Sequence, residues 1–205
     1  MSIISIIDFG MGNIGSIANM LRKVGAEVTV VKLPEQLGAA EKIILPGVGA
    51  FDAAVSRIRD NGWWPILKAK VIEERKPLLG ICLGMQLLMD SSEEGVLQGF
   101  GWVPGKVIRF TADLGVRIPH MGWNNVVVAR DCPLVRGLAA MDDCRFYFVH
   151  SYRVHCLDER DVVLKAHYGI EFDAAVQRNN ICGVQFHPEK SHRYGMALLR
   201  NFAQM

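Results

Sequence analysis

Polar and apolar positions follow two rhythms in the first half of the chain. Ser2–Asp8 is a short β-prone run, apolar at most of its positions. Behind it, Ile14, Ile17, Ala18, Leu21 and Val24 recur at helical spacing, with Asn13 placed to cap the helix and Gly25 to end it. Glu27–Lys32 returns to a strand. Lys42–Leu45 is a third strand, stopped by Pro46-Gly47. Helical stretches follow, with Asp52 as a cap and a break at Gly62 or Pro65. Pro77–Ile81 makes a fourth strand, and Met85–Met89 is apolar at helical density. Strands separated by helices call for right-handed crossovers, so this half predicts a parallel sheet covered on both faces.

After about residue 100 the texture changes. Lys106–Phe110, Asn124–Ala129, Phe146–His150, Val162–Ala166, Ala174–Arg178 and Ile181–Phe186 are short strand-like runs split by turn residues. They predict antiparallel hairpins laid against the parallel sheet. Ser191–Gln204 closes the chain as a helix with Met196, Leu199 and Phe202 inward. The expected class is α/β, with a mostly parallel central sheet flanked by helices and an added antiparallel β region in the second half. No Pro/Gly/Ser-rich linker interrupts the sequence, so residues 1–205 read as one domain.

Composition narrows the functional classes. Half of the 205 residues are hydrophobic, enough for a sizeable core. The 23 basic and 21 acidic residues nearly cancel and the basic ones are scattered, so no field favours nucleic acid or an anionic membrane. No run approaches the roughly 18 apolar residues of a membrane span. The first residues lack a basic leader and a small-residue cleavage site, so no signal peptide is expected. Five cysteines (Cys82, Cys132, Cys144, Cys156 and Cys182), odd in number and without CxxC spacing, fit free thiols in a reducing cytoplasm.

One of those cysteines has special surroundings. In Pro77-Leu78-Leu79-Gly80-Ile81-Cys82-Leu83-Gly84-Met85-Gln86 an apolar strand runs through Gly-x-Cys-x-Gly into a helix. This is the thiol counterpart of a nucleophile elbow. The flanking glycines remove Cβ atoms that would collide with neighbouring backbone, and the turn lifts the side chain clear of the sheet. The N–H of Leu83 and the helix start then face the reacting centre. A thiol is only partly ionised at neutral pH and needs a base. Of the six histidines, His187 stands in Gly183-Val184-Gln185-Phe186-His187-Pro188-Glu189, a strand ending in His-Pro-Glu. Pro188 stiffens that bracket, and Glu189 is placed to hold one ring nitrogen while the other takes the thiol proton. The remaining histidines are dispersed, with no HExxH and no metal-ligand spacing, so no metal is expected.

Two more glycine motifs follow strands. Pro46-Gly47-Val48-Gly49-Ala50-Phe51 should reach the same sheet edge as Cys82 and offer a second oxyanion donor or substrate contacts. Gly10-Met11-Gly12-Asn13-Ile14-Gly15 is a literal GxGxxG after the first strand. Its dinucleotide-binding reading lacks the acid at the end of the second strand, where Lys32 stands instead. A nucleotide-binding regulatory module is therefore the minor alternative, and a tight loop at the active-site end of the sheet the leading one.

With the elbow and His187-Pro188-Glu189 in hand, the chain resembles the class I (triad) glutamine amidotransferases over essentially its whole length. Asp8-Phe9-Gly10-Met11-Gly12-Asn13, Pro119-His120-Met121-Gly122-Trp123-Asn124, Phe148-Val149-His150-Ser151-Tyr152-Arg153 and His187-Pro188-Glu189-Lys190-Ser191 are similar to the glutaminase subunits of imidazole glycerol phosphate synthases. Anthranilate-type and carbamoyl-phosphate-type relatives usually carry His where Met85 stands, and the opening usually has Tyr in place of Phe9. The resemblance implies a flavodoxin-like fold and a Cys82–His187–Glu189 triad that hydrolyses glutamine through a thioester, without a cofactor. It implies oxyanion donors at Leu83, Val48 and Gly49, and glutamine contacts at Gly47, Gly49, Gln86, Ser151 and Tyr152. It further implies a (β/α)₈-barrel cyclase partner that uses the ammonia in histidine and purine metabolism, with Asn13 and Trp123 at the interface. A related synthase, such as one aminating surface sugars, is the alternative recipient.

Overall fold

In the computed structural model, residues 3–205 are described. Ser2, assigned above to the first strand, lies outside them. The parallel strands are β1 (Ile3–Ile7), β2 (Glu27–Val31), β3 (Lys42–Gly47) and β4 (Leu78–Cys82). Among the described residues they stand in the order β2-β1-β3-β4, all parallel. The helices between them are α1 (Ile14–Lys23), α2 (Phe51–Asp60) and α3 (Trp63–Lys68). A single helical turn, α4 (Leu83–Gln86), leaves β4 directly.

The second half continues this sheet edge to edge instead of lying against it, which corrects the expected stacking of hairpins. After the two-residue β5 (Ser91–Ser92) come β6 (Gly105–Arg109), β7 (His120–Val128), β8 (Arg145–His150), β9 (Tyr152–Cys156), β10 (Val162–Tyr168), β11 (Ile170–Arg178) and β12 (Ile181–Val184). Strand β12 pairs parallel with β4 and antiparallel with β11, so the sheet changes sense across one four-residue strand. It then runs β11-β10-β7-β8, with β6 and β9 branching from β11.

Alternation along the parallel strands divides the core. Ile4, Ile6, Ile44, Leu79 and Ile81 face α1 and the C-terminal helix α5 (His192–Gln204). Ile7, Ile43, Leu45 and Leu78 face α2 and α3. That two-sided burial is what a parallel sheet requires. No helix among the described residues is long and apolar enough to cross a membrane.

Several local readings change on contact with the fold. Strand β3 carries Pro46 and Gly47 onward, because its ladder with β4 sets them opposite Ile81 and Cys82. Asn13 makes no side-chain cap; its carbonyl accepts from Ile17 at 3.3 Å. Asp52 lies in the first turn of α2 and caps nothing there; its carboxylate accepts from the N–H groups of Val96 and Leu97. The break falls at Gly62, in the left-handed region at φ 72°, while Pro65 fits the first turn of α3 where its missing N–H has no partner to lose. In α5 the inward residues are Tyr194, Leu198, Leu199 and Phe202, with Met196 only half-buried.

Phe186, fully buried just beyond β12, stacks on Phe146 with centroids 3.8 Å apart. Phe186→Ala is expected to lower the unfolding free energy by about 3–5 kcal/mol, measured by urea denaturation. A loss under about 1 kcal/mol would show that this face of the core collapses around the hole.

Candidate active site

The elbow forms as the glycines require. Cys82 has φ 54° and ψ −110°, a conformation that L residues avoid. It is tolerable because α4 sits almost on the sheet. A Cβ on Gly84 would run into the carbonyl oxygen of Leu45, and one on Gly80 would lie 2.6 Å from the Gly84 oxygen. Close backbone approach thus holds the turn in place, and the Cys82 side chain opens into a cavity of about 380 Å³ at the carboxyl ends of β3 and β4.

The imidazole expected as its base arrives from the next strand over. His187 follows β12 by three residues, and its N–H donates to the Tyr147 carbonyl at 2.9 Å. Its own carbonyl accepts from the Ser191 hydroxyl at 2.6 Å, while Ser191 Oγ also accepts from the Tyr147 N–H. These bonds clamp the His-Pro-Glu bracket from both ends. Glu189 Oε1 lies 2.9 Å from His187 Nδ1, and both side chains are almost fully buried. Among the described residues His187 Nε2 is buried without a hydrogen-bond partner, on a ring that lines the same cavity as Cys82. Burial opposes charging the ring, but the Cys82 sulfur and the Glu189 carboxylate outweigh it and raise His187 to about 9. The ring is thus held above its ordinary value, with a carboxylate fixing its orientation.

The other predicted positions divide. Val48, Gly49, Leu83, Gln86, Ser151 and Tyr152 all line the cavity with Cys82 and His187. Gly47 does not; it is a β3 residue paired with Cys82 and packed against the elbow. Asn13 and Trp123 lie outside the lining. Asn13 belongs to the loop after β1, whose Met11 touches Gly49, and Trp123 is 43% exposed on β7, stacked on His192. The GxGxxG loop is tied down from within: Asp8 accepts from the Gly10 N–H, and Arg57 donates to the Gly10 carbonyl.

Sequence reasoning passed over three features. Gln185 Nε2 lies 3.7 Å from Cys82 Sγ, and Gln185 Oε1 accepts from Gln86 Nε2 at 3.1 Å. Its signal was available: two residues before His187 on an extended strand is the same face. Glu94, the one carboxylate in the lining, caps α2 by accepting from the Phe51 N–H. Finally, His150 lines the cavity and meets His120 at 2.9 Å. Burial drives His120 down to about 4; it drives His150, helped by His120 and His187 nearby, to about 3 despite the Tyr152 carbonyl.

Among the described residues no group of His, Cys, Asp or Glu is clustered to hold a metal ion. All five cysteines are unpaired, and only Cys82 lines the cavity. Burial pushes the Cys144, Cys156 and Cys182 thiols up, which keeps them inert.

The chain is similar to known proteins. Residues 5–205 match the family described as glutamine amidotransferase class-I. The chain is 49% identical over 199 residues to imidazole glycerol phosphate synthase subunit HisH 2 of Methanococcus maripaludis, covering 97% of this chain and 98% of that protein. It is 47% identical over 205 residues to imidazole glycerol phosphate synthase subunit HisH of Bdellovibrio bacteriovorus, covering 98% of this chain and all of that one. Among solved structures, PurLQS from Thermotoga maritima superposes with TM-score 0.70 at 23% identity, covering 100% of this chain and 97% of that one. A putative GMP synthase protein from Thermoplasma acidophilum superposes with TM-score 0.69 at 19% identity, covering 100% and 93%. At those identities the structures speak for the fold alone.

The two buried histidines set an acid limit on stability. Unfolded, each returns to the ordinary 6.5, so the unfolded chain binds more protons than the folded one below that value. Their contribution is complete above 6.5 and is lost as the pH falls toward about 4 and then 3. The urea midpoint should fall steadily on acidification through this window. A His120→Phe/His150→Phe double variant should give a shallower slope; an unchanged slope would mean the pair is not the source.

Proposed function

The chain belongs to the class-I glutamine amidotransferases, and from that membership we propose that it is the glutaminase subunit of an imidazole glycerol phosphate synthase, hydrolysing glutamine at Cys82 and passing ammonia to a cyclase partner. The observation that carries the reading is His187: Nδ1 is held by Glu189 at 2.9 Å while Nε2 is left without a partner on the cavity that Cys82 lines.

The chemistry follows from that geometry. His187 holds the proton taken from Cys82, and the sulfur attacks the side-chain amide carbon of glutamine. The carbonyl oxygen becomes an oxyanion, for which the N–H groups of Leu83 and of the Val48–Gly49 segment are the candidate donors; one such donor contributes about 3–4 kcal/mol. Collapse breaks the C–N bond, and His187 returns the proton to the departing ammonia. A glutamyl thioester remains on Cys82. His187 then takes a proton from water, hydroxide adds to the thioester, and the C–S bond breaks to give glutamate. Glu189 keeps the ring in the productive tautomer throughout. We assign the glutamine contacts to Gly49, Gln86, Ser151 and Tyr152, and set Glu94 toward the α-ammonium, as the one carboxylate in the lining. Gly47 supports the turn from beneath.

We read residues 1–205 as one glutaminase domain, in keeping with a sheet that joins both halves through β12. Ammonia set free in water would be protonated and lost as a nucleophile, which favours a docked recipient. We propose a (β/α)₈-barrel cyclase seated over the cavity mouth. Of the exposed apolar side chains, Val48 lines the cavity, and we assign exposed Met121 and Trp123, together with Asn13, to the same docking face. Five unpaired thiols suit the reducing cytoplasm.

The decisive experiment is glutaminase activity titrated with the cyclase partner, with and without the cyclase's ligand. Cys82→Ala should reduce glutamine hydrolysis to background while the two proteins still elute together; retained hydrolysis would overturn the assignment. Glu189→Gln should lower kcat by about 10²–10⁴-fold with a smaller change in KM. A change confined to KM would make Glu189 a binding group.

A further inference from the structure

A line of hydrogen bonds runs from β7 to the nucleophile, and donor and acceptor can be assigned at every link. A backbone carbonyl only accepts, so His150 Nδ1, 2.7 Å from the Tyr152 oxygen, carries a proton. His150 is neutral, so its Nε2 is a bare acceptor. The donor to it is His120 Nδ1 at 2.9 Å. His120 is neutral too, and its Nε2 accepts from Asn124 Nδ2 at 3.3 Å; that amide also donates to the His167 carbonyl at 2.9 Å.

The other side of the Tyr152 carbonyl leads to sulfur. Gln86 Nε2 donates to it at 3.3 Å and to Gln185 Oε1 at 3.1 Å. With its oxygen so engaged, Gln185 turns Nε2 toward Cys82 Sγ at 3.7 Å. The two ends of a glutamine amide have nearly the same shape, so packing alone does not decide which end meets the sulfur. Polarity decides it, and the polarity originates at the Tyr152 carbonyl.

We propose that the buried His120–His150 pair is a positioning device for the reaction: by holding the Tyr152 carbonyl it fixes the orientation of the Gln86 and Gln185 amides, so that an N–H and not a lone pair meets the sulfur of Cys82. The proposal rests on the reading of Cys82 as nucleophile. An N–H aimed at sulfur favours the anionic, reactive form. Packing gives no reason for imidazoles here. His120 stacks against Phe148 and Tyr168, with Phe110 and Phe172 edge-on, a setting that apolar side chains would fill without unpaired polar atoms. Of the ionisable groups that meet the pair, Tyr168 stacks on His120 from β10, and His187 acts on His150 from beyond β12.

The test reads the sulfur directly. Iodoacetamide alkylation of the isolated chain at neutral pH is followed by mass spectrometry of the peptide bearing Cys82. His150→Asn keeps a donor near the Nδ1 position, whereas His150→Gln keeps polarity only near Nε2. Loss of a hydrogen bond to a charged group corresponds to about tenfold. His150→Gln should therefore alkylate about tenfold more slowly, and His150→Asn within about twofold of the wild-type rate. Gln185→Leu should lose as much as His150→Gln, and the double variant no more than Gln185→Leu alone, because both act through one N–H. Wild-type reactivity in His150→Gln, or losses that multiply in the double variant, would overturn the proposal. Should His150→Gln fail to fold, His120→Leu reads the next link: slower alkylation supports the device and wild-type reactivity overturns it. No glutamine enters this assay. A wild-type chain that hydrolyses no glutamine even with the cyclase partner and its ligand, with the expected alkylation pattern, would sink the functional reading and leave the orientation of the two amides standing. A glutaminase whose variants alkylate normally would do the reverse.

Discussion

The site depends on one close approach, the seating of α4 against the ends of β3 and β4. Gly84 meets the Leu45 carbonyl with no room for a side chain, and Gly80 meets Gly84 in the same way. Because the backbone packs this tightly, Cys82 can be held at φ 54°. Strain at one residue is sustained by contacts at its neighbours. The same contact places Leu83 and Gln86 on the cavity wall. The Cys82 elbow, the cavity wall at Leu83 and the Gln86 amide beside Gln185 thus all trace back to two missing methyl groups.

Around that fixed point the electrostatics are arranged by burial. His187 and Glu189 are taken out of water together, and each supplies what the other lost. Among the described residues Glu189 Oε2 is left without a partner, and the carboxylate's one bond goes to the imidazole. Burial alone would pull the base down, and it is the sulfur and this carboxylate that raise it. The neighbouring histidines are treated oppositely. His120 and His150 meet each other and a carbonyl but no carboxylate partner, and burial keeps them neutral. Neighbouring imidazoles are thus set to different charge states by the company they keep.

Much of this was legible in the sequence, and the failures have physical causes. Gly-x-Cys-x-Gly and His-Pro-Glu are local signatures whose meaning is stereochemical, so they survive without knowledge of the fold. The parallel half was readable because buried strands are apolar on both faces. Strand β9 was missed: Tyr152–Cys156 carries Arg153 and His155 outward and pairs beside β6, where one wet face dilutes the apolar signal. Pro46-Gly47 reads as a stop by propensity, yet pairing with β4 prevails. Asp52 looked like a cap because capping residues are recognised by type and place, while its partners in the loop at Val96 and Leu97 lie more than forty positions away. Gln185 and the His120–His150 pair went unseen for a related reason. Each stood inside a quoted segment, but its partners lie on other elements, so no local spacing marked it out.

Strand β12 links these observations. Its ladder sets Gly183 beside Gly80 and Val184 beside Ile81, and one step further Gln185 comes level with Cys82. Each rung is about 3.3 Å, so the pairing works as a vernier that meters the gap between sulfur and imidazole. A slip of a single rung would carry His187 out of reach and turn Gln185 to the opposite face. Drift elsewhere in the chain can therefore be absorbed by loops, whereas the β4–β12 seam has one tolerated setting, and inheritance of the chemistry amounts to inheritance of that alignment.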